Sequence, residues 1–205
     1  MLLDHALYGL AWISFGAGHS LLALPGARHW LQRRAGRAAR LTYNAIASLH
    51  IAAVVAVGIA LLGDAPPYRL PAWVFAGQAV LGIIGLAVLR EGARGYDMAR
   101  LSGLHQLRYG NDPGGDDAEP LVTGGLHRYV RHPLYSGGIA LLWAFAWSPL
   151  GLATALWGSL YFVLGSWAEE RKLIRRYGSA YRHYRRAVPG LLPWRGRVPE
   201  SDETN

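Results

Sequence analysis

The sequence has no cysteine and a single lysine, Lys172, among 205 residues. Without cysteine there is no disulfide framework, no zinc–thiolate site and no cysteine nucleophile. Charged residues are scarce as well, at 17%, against roughly 25% in soluble domains. Hydrophobic residues make up 52% of the chain, which excludes a disordered protein. The net charge of +8 comes from arginine and indicates either nucleic acid or an anionic membrane surface as the partner.

Four long stretches carry no formal charge, and they cover residues 6–24, 41–63, 70–89 and 133–168. Because about 20 apolar residues span a bilayer, each of the first three stretches predicts one transmembrane helix. The fourth stretch is too long for one helix, and Ser148-Pro149-Leu150-Gly151 at its middle predicts a tight helical hairpin of two short helices. We therefore expect an all-α integral membrane protein with about five transmembrane helices and a cytoplasmic C-terminal helical segment.

The basic residues predict the orientation of these helices. Twenty of the 21 lie in the segments 25–40, 90–132 and 168–205, which fall on one side of a five-span protein, and only Arg69 lies opposite. The positive-inside rule then places the N-terminus outside and the C-terminus in the cytoplasm. On this interpretation the basic blocks are membrane anchors and do not bind nucleic acid. The first span has no lysine or arginine before it, which favours a retained helix over a signal peptide.

Within the segment 121–135, the eleven residues 124–134 hold two glycines, two histidines and a tyrosine. Gly124 and Gly125 allow the backbone to approach a ligand closely, and Pro133 suits the first turn of the fourth span. The helix end beside Arg131 and His132 would attract a carboxylate or a phosphate. A basic anchor at the membrane interface is the alternative explanation of the arginines alone.

The second segment of interest begins at Glu169 and Glu170, which we expect to end the fifth span. Acidic residues at a helix C-terminus oppose the helix dipole at a cost of roughly 0.3–1 kcal/mol each. Either nearby arginines or a ligand with hydroxyls or positive charge would offset that cost. The spacing of Tyr177, Tyr181 and Tyr184 predicts one shared helical face, which is either an aromatic belt or the wall of a pocket.

These motifs resemble a known family. Arg131-His132-Pro133-Leu134-Tyr135, then a hairpin, Glu169-Glu170 and Val188-Pro189 follow one another within 121–193 as in the isoprenylcysteine carboxyl methyltransferase family. Its superfamily includes phospholipid methyltransferases and the bacterial NnrU-like and methanethiol S-methyltransferase branches. His19-Ser20 in the first span and Leu41-Thr42-Tyr43-Asn44 in the second are similar to the bacterial branches.

The resemblance implies methyl transfer from S-adenosyl-L-methionine in a cytoplasmic pocket at the membrane surface. It divides the chain into three N-terminal transmembrane helices (1–90), a cofactor-binding methyltransferase core (91–197) and a disordered tail (198–205). The implied cofactor-binding residues are Gln106, Leu121, Val122, His127, Arg131, His132, Pro133, Leu134, Tyr135, Glu169 and Glu170. Position 165, where eukaryotic members carry an arginine toward the substrate carboxylate, is Gly165 here, which favours a small or uncharged acceptor.

A thiol or amine acceptor must lose a proton during methylation, and a neutral histidine can accept it. The candidates are His19, His105 and His127, with His183 a further one, and the sequence does not distinguish them. The predicted function is transfer of a methyl group to a small or lipophilic acceptor, with a thiol favoured, in a bacterial inner membrane whose lipids surround the protein. No metal site and no nucleic-acid partner are expected. The alternatives are a lipid amine or isoprenylcysteine-like carboxylate as acceptor, or a non-catalytic membrane subunit or transporter.

Overall fold

The computed structural model describes residues 2–110 and 120–195, and this part of the chain is helical with no strand. The helices are α1 (Leu2–Leu22), α2 (Pro25–Ala35), α3 (Ala39–Leu62), α4 (Ala72–Ala93), α5 (Met98–Ser102), α6 (Leu104–Tyr109), α7 (Pro133–Ala144) and α8 (Pro149–Ala187). Short 3₁₀ helices occupy Gly36–Ala38 and Gly125–Arg128. The predicted disordered tail, 198–205, lies outside the described residues.

The long helices fall where the uncharged stretches predict them. Within the described residues, three helical stretches are long and apolar enough to cross a membrane: Pro25–Leu62, which contains α3, then α4 and α8. Large apolar side chains point away from the protein along these helices, and Trp73 and Ile83 on α4 are 76% and 68% exposed. An apolar surface of this extent is typical of a protein that is embedded in lipid.

The predicted hairpin is present, but its two arms differ greatly in length. The chain turns between Ala144 and Pro149, and the Ser148 hydroxyl caps α8 by accepting from the Gly151 amide at 3.1 Å. Helix α7 has 12 residues and is therefore about 18 Å long, less than the ~30 Å hydrocarbon core. Helix α8 has 39 residues, so the prediction of two short helices is wrong for the second arm.

The acidic pair does not end a helix, contrary to the sequence prediction. Glu169 and Glu170 lie inside α8, which continues through residues that favour helix until Gly178 adopts φ 57° and ψ −122°. On a straight helix Glu170 and Arg185 would be about 22 Å apart. Their charged atoms are instead 3.0 Å apart. The chain therefore folds back at Gly178, and residues 179–187 return along the preceding turns of α8.

Helices α4 and α7 form the closest helix pair, and small residues make this possible. A Cβ atom on Gly85 would lie 2.9 Å from the Leu141 nitrogen and 3.0 Å from the Gly137 oxygen. Glycine at such positions allows two helix backbones to pack directly against each other. This packing holds the N-terminus of α7 beside the C-terminal end of α4.

Hydrogen bonds define the two ends of the bundle. Asn44, near the start of α3, donates to the carbonyls of Leu101 and Ser102 at 3.0 and 2.9 Å, just after α4 has ended. At the opposite end, the Tyr68 amide donates to the Trp147 carbonyl at 2.9 Å. The first of these ends, which we term the charged end, also contains the start of α7 and the charged half of α8, residues 169–187.

Candidate functional site

The backbone before α7 is fixed by the chain that follows α8. The amides of Arg131 and His132 donate to the carbonyls of Pro189 and Gly190 at 2.9 and 3.1 Å. One turn later the Ser136 hydroxyl donates to the Leu191 carbonyl at 2.7 Å. Residues 188–191, which we term the C-terminal strap, therefore hold the start of α7 against the charged end of the bundle.

Glu170 is surrounded by positive charge. Arg131 donates from Nε to Glu170 Oε1 at 2.9 Å and also contacts it through a terminal nitrogen. Arg185 lies 3.0 Å from the other carboxylate oxygen, and His132 Nε2 lies 3.4 Å from Oε1. The side chains of Glu170 and Arg131 are only 8% and 10% exposed. A charge this deeply buried is tolerated because it is paired and hydrogen-bonded.

The electrostatics favour an ionised Glu170 and a charged His132. Burial acts to raise the pKa of Glu170, but hydrogen bonds from His132 and Arg131 and the charges of Arg131 and Arg185 outweigh it and lower the pKa to about 2. Burial acts to lower the pKa of His132, but the carboxylates of Glu169 and Glu170 raise it above its ordinary value. The cluster is therefore an ion-pair network at neutral pH.

Glu169 has a different environment from its neighbour. Its side chain is 41% exposed, and one oxygen lies 3.5 Å from His132 Nδ1. It is also hydrogen-bonded to Tyr135, whose ring stacks on His132 at a centroid distance of 5.4 Å and an interplanar angle of 9°. His132 and Tyr135 thus orient a carboxylate that keeps one side open.

A cleft of about 510 Å³ lies between the end of α4 and the segment before α7. It is lined mainly by Glu91, Arg94, Val122, Gly124, Gly125 and His127. A Cβ on Gly124 or Gly125 would meet no described atom within 4 Å, so the loop leaves this space open. Gly125 also has φ +57°, a conformation that side chains other than glycine rarely adopt.

His127 connects the cleft to the ion-pair network. It lines the cleft, its Nε2 lies 3.3 Å from the Tyr96 hydroxyl, and its carbonyl accepts from Tyr184 at 2.7 Å. Burial lowers the pKa of His127, and the charges of His132 and Glu169 reach it as well. Neutral His127 therefore lies between the open cleft and the charged residues of the network.

The structure brings most of the sequence-predicted residues to this region. Pro133 and Leu134 pack on Gly92 of α4, and Leu121 packs on the cluster of Tyr181, Tyr184 and Val188. Gln106 and His105 lie on α6, which packs on α3 and the Gly36–Ala38 turn. The Gln106 amide oxygen is buried there with no hydrogen-bond partner among the described residues.

The three tyrosines of the C-terminal segment pack together, but not on one continuous helix. Gly178 interrupts the helix after Tyr177, and Tyr181 and Tyr184 become buried because the chain folds back. Tyr181 is only 1% exposed, so the prediction of an aromatic belt at the membrane interface is wrong for it. These rings instead stabilise the fold-back.

Sequence reasoning missed the role of Arg185, the strap carbonyls and Tyr96. Arg185 is one of nine basic residues in its segment, and nothing in the pattern distinguishes it from the others. The strap acts through backbone carbonyls, which leave no mark on residue type. Val188-Pro189 was part of the recognised motif, and it was the one available signal for this contact.

Part of the chain is similar in sequence to known methyltransferases. The family model for phospholipid methyltransferase matches residues 98–180. The chain is 40% identical over 101 residues to methanethiol S-methyltransferase 1 of Bradyrhizobium diazoefficiens, covering 48% of this chain and 35% of that protein. It is 29% identical over 186 residues to methanethiol S-methyltransferase 2 of the same organism, covering 87% and 69% of the two chains. No solved structure matches.

A eukaryotic protein matches the same region. Protein-S-isoprenylcysteine O-methyltransferase of Schizosaccharomyces pombe is 35% identical over 79 residues, covering 36% of this chain and 33% of that protein. Fold and site define a helical membrane protein with a polar, ion-paired site at one end of its bundle. Over the residues they cover, these matches support the superfamily of the isoprenylcysteine carboxyl methyltransferases and phospholipid methyltransferases. The matched part spans about a third of the length of the first and last of these relatives.

Proposed function

We propose that the protein is an integral membrane methyltransferase that uses S-adenosyl-L-methionine to methylate a small or lipophilic acceptor, a thiol in the first instance. The observation that carries the proposal is the meeting of two distant motif segments, 121–135 and 169–170, through the contacts of Arg131 and His132 with the two glutamates, while the first of these segments also lines an open cleft. Names of relatives from Bradyrhizobium diazoefficiens support a methyltransferase and suggest methanethiol as the type of acceptor.

The residues at this site fit the proposed cofactor. The cleft volume of about 510 Å³ falls within the roughly 300–1,000 Å³ common for small-molecule sites. Glu169 offers a partly exposed carboxylate, which accepts well from an amino group or ribose hydroxyls. We propose Leu121, Val122, His127, His132, Tyr135 and Glu169 as the cofactor wall, with Gln106, Pro133 and Leu134 supporting it.

The ion-pair network has a positioning role in this proposal. Arg131 and Glu170 satisfy each other inside the protein, so we assign them to holding the start of α7 against α8, not to direct cofactor contact. His132 and Tyr135 then fix the direction of the Glu169 carboxylate. When bound, S-adenosyl-L-methionine supplies an electrophilic methyl group. The enzyme's main contributions to such a displacement are alignment of the acceptor and exclusion of water.

We further propose five membrane-inserted helices, α1, α3, α4, α7 and α8, with the N-terminus outside and the C-terminus in the cytoplasm of a bacterial inner membrane. The arginine-rich segments between these helices support this orientation. The high content of alanine, glycine and arginine is typical of a GC-rich bacterial genome. Helix α7 is shorter than the hydrocarbon core, so its end and the following turn would lie below the far interface.

Calorimetry in detergent with S-adenosyl-L-methionine, followed by transfer of a labelled methyl group, tests the proposal. The acceptor panel is methanethiol, longer alkyl thiols, phosphatidylethanolamine and farnesylated cysteine. We expect cofactor binding and transfer to the thiols. Transfer to phosphatidylethanolamine or farnesylated cysteine alone would replace the thiol by a lipid amine or a carboxylate, as the family model and the yeast relative suggest. Absence of cofactor binding would refute the enzyme and favour a non-catalytic subunit.

A further inference from the structure

A second polar cluster lies at the charged end of the bundle, among α1, α3 and α8. His19 is in the last turn of α1, and its Nε2 and Nδ1 lie 2.9 and 3.3 Å from the Tyr43 hydroxyl near the start of α3. The His19 ring also packs on Phe15 and Tyr161, at centroid distances of 5.7 and 6.3 Å. An ionisable residue placed within a membrane-inserted helix is a functional-site candidate by default.

A continuous series of aromatic contacts connects this cluster with the cofactor wall. The His132 ring stacks on Tyr135, Tyr135 contacts Phe162 at 5.3 Å, and Phe162 contacts Tyr161 at 5.6 Å. Tyr161 then contacts His19. The two histidines therefore lie at opposite ends of one aromatic wall, which is apolar enough to guide a small lipophilic molecule.

One stripe of α8 faces both ends of this wall. Tyr161, Gly165, Glu169 and Lys172 are spaced by four, four and three residues, so they lie on the same side of the helix. Tyr161 contacts His19 and Glu169 contacts His132. The positive charge of Lys172 contributes to the electrostatics of both His19 and Glu169.

Gly165 leaves a gap in the middle of that stripe. A Cβ at this position would meet no atom within 4 Å among the described residues, whereas one on Gly158, two turns earlier, would lie 2.4 Å from a Leu142 side-chain carbon. The gap lies one helical turn from Glu169 and one turn from Tyr161. It is therefore next to both the proposed cofactor wall and the ring that contacts His19.

We propose that the gap at Gly165 takes the acceptor, a small alkyl thiol, and that His19 accepts the thiol proton. The inference rests on the proposed function. The S–H bond breaks and its proton moves to a His19 ring nitrogen, while a sulfur electron pair forms the bond to the transferred methyl carbon. The bond from that carbon to the donor sulfur breaks, and its electron pair stays on the donor sulfur. The proton on His19 then passes to solvent.

The surroundings of His19 suit this role. Tyr43 orients the ring and can hydrogen-bond to either nitrogen, which leaves the other nitrogen able to accept a proton. His127 is less suited, because its ring bonds both the Tyr96 hydroxyl and the Gly124 carbonyl. His105 lies on α6 beside Tyr109, outside the aromatic wall.

The test compares His19→Gln with His50→Gln. Glutamine at position 19 can still bond Tyr43 but cannot accept the proton, and His50 contacts Phe15 and Ser14 at the same interface. We expect His19→Gln to lower kcat with ethanethiol by roughly 10²–10⁴-fold, and to move the rise of kcat/KM to more alkaline pH. Calorimetric S-adenosyl-L-methionine binding stays unchanged in both variants, and His50→Gln keeps the wild-type pH profile.

Gly165→Leu tests the gap without removing a polar group. Ligand-observed NMR should detect ethanethiol on the wild type and on His50→Gln and lose the signal with Gly165→Leu, while cofactor binding persists. Wild-type turnover and pH profile in His19→Gln, or ethanethiol binding retained in Gly165→Leu, would overturn the inference and leave the proposed function standing. A wild type that binds the cofactor and methylates only phosphatidylethanolamine or farnesylated cysteine would overturn this inference and change the acceptor of the proposed function, whereas a wild type that binds no cofactor would overturn the proposed function. If His19→Gln does not fold, Tyr43→Phe must shift the same pH profile, and an unshifted profile refutes the inference.

Discussion

Glu169 and Glu170 are adjacent in sequence, yet the two sides of α8 on which they lie are built differently. On the Glu170 side, two arginines and a histidine surround an almost fully buried carboxylate. On the Glu169 side, a stacked histidine–tyrosine pair holds a carboxylate that is 41% exposed. Successive helical residues point in directions about 100° apart, so neighbours can serve separate purposes. Glu170 holds the fold together, and Glu169 remains available for a ligand.

The largest loss of stability is expected from removing the arginine that pairs with Glu170. Arg131→Ala would leave a buried carboxylate without its main partner, a change that costs about 3–5 kcal/mol in the free energy of unfolding. Thermal unfolding in a nonionic detergent, followed by tryptophan fluorescence, measures it. Arg90→Ala is the matched control, because Arg90 also pairs with a glutamate, Glu91, but its side chain is 71% exposed. Loss of such an exposed ion pair should lower the free energy of unfolding by about 0–1 kcal/mol. Equal losses in the two variants would contradict the assignment.

The decrease in stability at acidic pH is expected to depend on the same ion-pair network. The pKa of Glu170 is lowered from 4.5 to about 2. Its ionised form therefore contributes stability that is complete above pH 4.5 and is lost as the pH falls toward 2. Unfolding measured across this range should show a steep loss in the wild type and a shallower one in Glu170→Gln. Identical slopes would mean that Glu170 is not the group responsible.

Substitution of Glu169 should weaken cofactor binding and leave folding unaffected. Glu169→Gln removes the charge from an exposed carboxylate, so the unfolding temperature should stay within the error of the wild type. Hydrogen bonds to charged groups contribute about 1.5–3 kcal/mol, which corresponds to roughly 10- to 150-fold weaker S-adenosyl-L-methionine binding. Calorimetry measures this change, and unchanged affinity would remove Glu169 from the cofactor wall.

The smallest loss in the free energy of unfolding is expected from substitution of Tyr184. Tyr184→Phe removes the hydrogen bond to the His127 carbonyl and should cost about 0.5–1.5 kcal/mol of stability. Tyr109→Phe, at a tyrosine that is 75% exposed, is the control in the same thermal unfolding experiment. A loss for Tyr184→Phe as large as that for Arg131→Ala would show that the fold-back depends more on the tyrosines than on the ion pairs.

The apolar helices and the break at Pro149 could be predicted because they depend on composition and on local chemistry. Charge-free runs mark α1, α3 and α4, and proline marks the start of α8. The motif from Arg131 to Tyr135 likewise indicated where polar side chains would gather. Each of these signals is contained within a short segment of sequence.

The internal arrangement of the site could not be predicted, because it depends on one backbone conformation at Gly178. With a straight helix, Arg185 could not reach Glu170, and the acidic pair would need another partner. The local sequence favours helix on both sides of Gly178, so periodicity alone gave no sign of the reversal. Glu170 was accordingly interpreted as a helix-terminal residue, although it lies inside α8 and one of its partners, Arg185, comes from the returning chain.

The C-terminal strap has a consequence for the order in which the protein matures. Synthesis proceeds from the N-terminus, so the helices up to α7 emerge before the residues that hold α7 in position. Until Arg185 and residues 188–191 have been made, Glu170 lacks one of its cations and the start of α7 lacks the carbonyls that bind its amides. We expect the nascent protein to be inserted in the membrane before its site is assembled, so that a released chain truncated before Arg185 would contain every apolar helix and no competent ligand site.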